Sequence, residues 1–284
     1  TIEDIGYLNE DGDEVYITGN PGKGIVAGDP DGAGPIPPQA EAIRDYEAIE
    51  LVFNRRFADS FSLRASYTYS RLTGNYSGLA SSDEFGRTDP NIARYFDGLV
   101  YGYDSKGQLV DGVLNTDRPH AFELQGVYQM PWKMSAGLNF TYFSGGPVST
   151  DAQFNGVNFF PNGRNDMGRL PSLTNFDFYL AQPFTIGSLQ FEASVNVLNL
   201  FDSKTETRIG NVQFQEDVCD AFPEDTTAAA GECDTTNGWY FGSLGNYEYE
   251  KIMKGAGFEE YVQYGKPIAF QAPREVRFAI KLSF

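Results

Sequence analysis

This sequence of 284 residues has almost nothing on which enzyme chemistry usually rests. It holds one histidine, two cysteines and two tryptophans. No Ser–His–Asp set, HExxH helix or phosphate-binding loop can be read in it. No run approaches the roughly 20 apolar residues a membrane helix needs, so a helical membrane protein is excluded. Bases are scarce, 21 against 39 acids, and the net charge of −18 removes nucleic-acid binding, which needs a basic face. The opening residues Thr1-Ile2-Glu3-Asp4 lack an initiator Met, a basic segment and an apolar segment, so they are not a secretory leader. The expectation is a piece of a longer protein.

What is present favours strands and turns. Phe occurs 23 times and Tyr 17 times, and both suit a pleated surface. The charge is localised. Residues 1–44, 74–119 and 202–273 carry −7, −3 and −8, which accounts for the whole net charge. These three segments are rich in Gly, Pro, Asp and Asn and read as solvated loops.

Seven segments alternate apolar and polar residues with period two, the pattern of a strand facing two environments. In 61–70, Phe61, Leu63, Ala65, Tyr67 and Tyr69 oppose Ser62, Arg64, Ser66, Thr68 and Ser70. Leu138 and Phe140 likewise oppose Asn139 and Thr141, and Phe191 and Val195 oppose Glu192 and Asn196. The strands are expected at about 46–56, 60–71, 120–130, 133–144, 172–182, 188–199 and 274–284. Ten residues at about 3.3 Å each, tilted near 45°, span roughly 23 Å, the height of an outer-membrane barrel's apolar band. The polar face carries Glu50, Arg64, Glu123, Asp177, Glu192, Arg277 and Lys281, which suits a wet lumen and not a dry core. Connections alternate short and long, as periplasmic turns and extracellular loops do in such barrels. The expected fold is all-β: an antiparallel transmembrane barrel with long extracellular loops and a periplasmic C-terminus. Seven strands would leave two unpaired edges in lipid, so further strands are expected upstream.

Several residues invite a chemical reading. Cys219 and Cys233 would close a surface loop of 15 residues by a disulfide, which an exterior compartment permits. The only histidine, His120, follows Asp117-Arg118-Pro119, but one Asp–His pair is a thin basis for catalysis. No enzyme activity and no cofactor are expected. Gly22-Lys23-Gly24-Ile25-Val26-Ala27 fits a dinucleotide fingerprint only formally, since no strand precedes it. Asp29 and Asp31 are candidate calcium ligands without EF-hand spacing. Trp239, Tyr240 and Phe241 are loop aromatics that could face a substrate or pack against other loops. Phe278, Ile280, Leu282 and Phe284 form an alternating row with a terminal aromatic, similar to the signal that the outer-membrane assembly machinery reads.

Four strings carry a family resemblance: Leu114-Asn115-Thr116-Asp117-Arg118-Pro119-His120, Tyr128-Gln129-Met130-Pro131-Trp132, Phe143-Ser144-Gly145-Gly146-Pro147 and Asn196-Val197-Leu198-Asn199-Leu200-Phe201-Asp202. With the final strand they resemble the last seven strands of a 22-stranded TonB-dependent receptor of the Oar-like branch. The resemblance implies an upstream plug and N-terminal domains outside this chain, coupling to the TonB inner-membrane energy complex, and transport of a large substrate across the outer membrane. Lipid and lipopolysaccharide would surround the barrel. A surface adhesion or structural barrel acting through its loops, or a passive porin, are the alternatives.

Overall fold

The computed structural model describes residues 3–8, 14–19, 23, 41, 43–75, 111–154, 157–221 and 249–283. Its strands are β1 (Glu3–Leu8), β2 (Glu14–Gly19), β3 (Arg44–Ala58), β4 (Phe61–Gly74), β5 (Gly112–Val113), β6 (His120–Gln129) and β7 (Ser135–Phe143). They continue as β8 (Ala152–Phe154), β9 (Val157–Phe159), β10 (Leu173–Ile186), β11 (Leu189–Leu198), β12 (Glu206–Ile209), β13 (Pro267–Phe270) and β14 (Glu275–Ser283). No helix among the described residues is long and apolar enough to cross a membrane.

The main sheet runs β14-β11-β10-β7-β6-β4-β3, with the short β5 paired to the far end of β4. Every neighbouring pair on that path is antiparallel. The register aligns the alternating residues into continuous rows. Leu63, Gly126, Leu138, Phe178, Val197 and Val276 form one row across six strands. The neighbouring row on the same face is Phe53, Ala65, Leu124, Phe140 and Phe176, in which the Phe140 and Phe176 rings lie 4.3 Å apart. The opposite face carries Asn54, Arg64, Gln125, Asn139 and Asp177 in line. A slip of one residue in any pair would mix the faces, so the two-sided pattern itself fixes the register.

The tight turns follow from local backbone chemistry. Asp59 and Ser60 both take positive φ, as a two-residue hairpin turn that matches strand twist requires. Gly187 (φ 61) opens the two-residue turn between β10 and β11, and Lys133 (φ 67) closes the turn between β6 and β7. Pro183 lies inside β10, where the short turn was expected to begin. It is accommodated because pairing with β7 stops at Ala181, leaving that edge of β10 free of a ladder that needs its missing N–H.

The sheet has no dry core of its own. On the apolar face Phe278 is 81% and Ile280 76% exposed. The fully buried side chains lie instead in the long connections: Leu114, Phe214, Val218 and Met253. The long connections, read from sequence as solvated loops, therefore carry folded structure of their own. The 199–274 connection contains the β12–β13 pair, a short helix at Tyr249–Gly255 and a 3-10 turn at Val218–Ala221. It packs Phe214 edge-on against Tyr249 at 5.5 Å. Burying apolar surface from water drives this cluster, whereas the sheet face gains nothing from water exclusion until a non-aqueous surround covers it.

Candidate functional site: the polar face and the loop cap

The polar face lines a cleft of about 550 Å3, bordered by Arg56, Arg64, Gln125, Asn139, Asp177 and Asn196. Asp177 is held by three donors: the Asn175 amide at 2.7 Å, the Asn139 amide at 3.1 Å and the Asn199 backbone N–H at 3.0 Å. Such bonds to an ionised carboxylate are among the stronger ones. They fix the middle of the cleft.

At the long-loop end three clamps hold the cap, two of them tying it to the sheet and one joining its connections. In the first, buried Asp117 accepts the Leu72 backbone N–H at 2.7 Å and pairs with Arg169 at 2.5 Å. Arg169 also donates to the Asp117 and Gly145 carbonyls. Gly145 has to be glycine here, because a Cβ would lie 1.6 Å from the Leu170 carbonyl oxygen. Arg118 donates to the Ser144 carbonyl at 2.9 Å, and burial lowers its pKa.

The second clamp joins the 144–172 and 199–274 connections. Asp166 accepts the Thr150 N–H at 2.7 Å and the Thr150 hydroxyl at 2.5 Å, and that hydroxyl also meets the Tyr264 hydroxyl at 2.7 Å. Asn211 donates its amide to the Ser149 carbonyl at 3.0 Å. Burial pushes the phenols of Tyr264 and Tyr249 above their ordinary range.

The third clamp is the neck. Asn199 takes positive φ (47) and donates its amide to the carbonyls of Ser203 and Ala272, at 3.0 and 2.8 Å. Asp202 accepts the Arg274 backbone N–H at 2.9 Å, the main influence holding its carboxyl below the usual range. One short motif thus closes both ends of the longest connection.

His120 sits at the start of β6 on the apolar face. Its Nδ1 lies 2.9 Å from the Tyr67 hydroxyl, and its ring packs against Tyr69. Both Asp117 oxygens are engaged elsewhere, so the two residues form no proton-relay pair. Phe278, Ile280 and Leu282 share one face of β14 and pair with Val195, Ala193 and Phe191. Phe284, Asp29, Asp31, Cys233, Trp239, Tyr240 and Phe241 lie outside the described residues. Cys219 is described only as backbone of the 3-10 turn. Arg169, Thr150, Asp166 and Tyr264 were not singled out from sequence, since their partners lie up to 114 positions away. Among the described residues no cluster of acids, His or Cys could hold a metal ion.

A sheet with one apolar and one polar face, tight turns at one end and a folded cap at the other, matches what comparison with known proteins finds. A family described as outer membrane beta barrel domain matches residues 38–149. The TonB-dependent transporter Oar of Myxococcus xanthus is 28% identical over 300 residues, covering 100% of this chain and 25% of that protein. Along its whole length the chain is similar to part of an Oar-type TonB-dependent transporter. Its fold is that of an outer-membrane β-barrel, and it spans about a quarter of the length of the transporter it matches.

Proposed function

We propose that this chain forms the loop-bearing last seven strands of a 22-stranded outer-membrane transporter that moves a large substrate with energy delivered through TonB. The observation that carries the reading is the apolar face of the sheet, on which Phe53, Leu138, Phe278 and Ile280 stand exposed, in a chain that aligns from end to end with a TonB-dependent transporter. Tight turns then lie in the periplasm and the cap outside the cell. The plug and the segment that contacts TonB belong to regions outside this chain. Phe284 and the β14 row direct assembly, and Cys219 pairs with Cys233 in the cap. Trp239, Tyr240 and Phe241 are the aromatics offered to substrate, and Asp29 and Asp31 are the calcium candidates.

The reading is tested by replacing 203–272 with a short Gly-Ser link in the full-length protein. The Asn199 neck holds Ser203 and Ala272 against one side chain, so the link has little distance to cover. The shortened protein should assemble with normal folded yield and lose its cargo. The cargo is found as the molecule whose distribution across the outer membrane changes when the gene is deleted. Undiminished movement of that molecule in cells lacking TonB refutes energised transport.

A second reading is favoured by one observation, the folded cap with its own buried residues. A surface adhesion barrel would use such a cap as its working part. It predicts that loss of 203–272 abolishes attachment, while loss of TonB changes nothing.

A further inference from the structure

We propose that the apolar face carries a binding site for one glycerophospholipid, with an acyl chain in a groove floored by Gly126 and Ala136 and the phosphate at Arg55 and Lys133. The inference rests on the reading of that face as lipid-facing and of the tight turns as lying at one membrane interface.

The groove has a volume of about 390 Å3 and a lining that is almost wholly apolar. Its origin is in the sequence. Gly126 pairs with Leu138, and Tyr128 pairs with Ala136, so two small residues meet diagonally between larger ones. Phe61, Tyr128, Leu138 and Phe178 then stand as walls around a floor with almost no side chain. A Cβ on Gly126 would lie 3.3 Å from Leu63 Cδ1, so a larger side chain at 126 has no spare room beside it. A smooth lipid-facing surface contacts many chains without selecting one. A notch holds a chain by contact on several sides, and dispersion grows with each added neighbour.

The second observation is charge at the tight-turn end. The Arg55 guanidinium stands 3.9 Å from the centroid of the Phe61 ring, a wall of the groove. Its acidic partner Asp59, at 3.1 Å, has a side chain 86% exposed, and such surface pairs contribute little. Lys133 is in the turn joining β6 and β7, the two strands that form the floor. Two cations against one solvated carboxylate favour an anion, and a guanidinium suits a phosphate through paired N–H donors. An apolar groove with cations at an interfacial end fits a phosphate attached to an acyl chain. It does not fit a peptide strand, whose polar backbone would find no partner in the groove.

The test uses the full-length protein in phosphatidylcholine nanodiscs doped with a phosphatidylglycerol that carries a photoreactive acyl chain. Crosslinks should concentrate on β6 and β7 around Gly126 and Ala136. Gly126→Phe fills the floor of the groove and removes the contacts that hold one chain there, so it should lower this labelling several-fold. Arg55→Gln should lower it several-fold with the groove intact, and Ala136→Leu gives an independent block if Gly126→Phe does not fold. Labelling no denser there than at Val276, Phe278 and Ile280, and unchanged by these variants, overturns the site while the lipid-facing reading stands. No labelling at Phe278 or Ile280 either would overturn the lipid-facing reading itself. A native mass showing paired copies that Gly126→Phe dissolves would assign the groove to self-association and overturn the phospholipid proposal.

Discussion

Replacing Leu138 with arginine puts a guanidinium on the apolar face near the middle of β7 (Ser135–Phe143), between Gly126 on one neighbour and Phe178 on the other. Replacing Asn139, the next residue, puts the same group on the polar face between Gln125 and Asp177. Composition changes little between the two variants, so the surround of each face decides the difference. An arginine at a barrel's midplane costs about 2–4 kcal/mol, falling to 0–1 near the interfaces. The low floor at Gly126 lets the aliphatic stem lie along the groove and carry the charge toward the tight turns, which favours the lower part of that range. At 139 the change removes an amide bond to Asp177 of 3.1 Å, worth about 1 kcal/mol, and brings a cation beside the same carboxylate, which returns a comparable amount. The expected gap between the variants is at least about 2 kcal/mol, or roughly thirtyfold in the folding equilibrium. Urea titration of the full-length protein folding into lipid vesicles reads that gap. Equal costs would refute the assignment of faces, and a larger cost at Asn139 would invert it.

Three further outcomes can be checked. Asp117→Ala should weaken the rim by about 3 kcal/mol, because it strips the Leu72 N–H of its acceptor and leaves the half-buried Arg169 without a carboxylate; hydrogen exchange at Leu72 should quicken roughly a hundredfold, and unchanged exchange removes the clamp. The Tyr249 and Tyr264 phenols have folded-state pKa values above 10.0, so their contribution is complete below pH 10.0 and is lost as pH rises through the raised values. Phenolate absorbance should show both titrating after the exposed tyrosines, with the late fraction reduced in Tyr264→Phe; a single early transition for all tyrosines contradicts the packing of the cap. For Cys219 and Cys233, alkylation followed by intact-mass measurement should detect two thiols only after reduction, and labelling without reductant rules out the pair.

The seven strands were legible because lipid and lumen impose period two on one residue after another, and that signal is local. Their ends were less so. β3 begins at Arg44, ahead of its apolar alternation, and β10 runs to Ile186, because Pro183 reads as a turn although Phe184 and Ile186 continue the apolar row. The Asn199 motif was visible as a string, but its role was not. Asn199 acts by reaching Ser203 and Ala272 together, and the second of these is 73 residues away. Thr150, Asp166 and Tyr264 gave no signal at all, because isolated polar contacts within and between connections leave no periodicity. The same reason hides the β12–β13 pair, two short strands from opposite ends of one long connection.

The two parts of the chain are stabilised by different surroundings. The sheet satisfies its backbone across strands and leaves Phe278, Ile280 and their row to a non-aqueous medium, so its apolar side chains contribute only when lipid is present. The cap buries Phe214, Val218 and Met253 from water, so its stability follows ordinary aqueous rules. A change of lipid or detergent therefore acts on the rows of the sheet, and a change of pH or denaturant acts first on the cap. The clamps at Asp117–Arg169 and Asn199 are where the two meet. Each places a buried polar bond at the strand ends, just where the sheet leaves one medium and the cap enters the other. Loop sequence between these clamps can change without moving the strand ends, provided the neck and the rim clamp keep returning the chain to the same pair of strands.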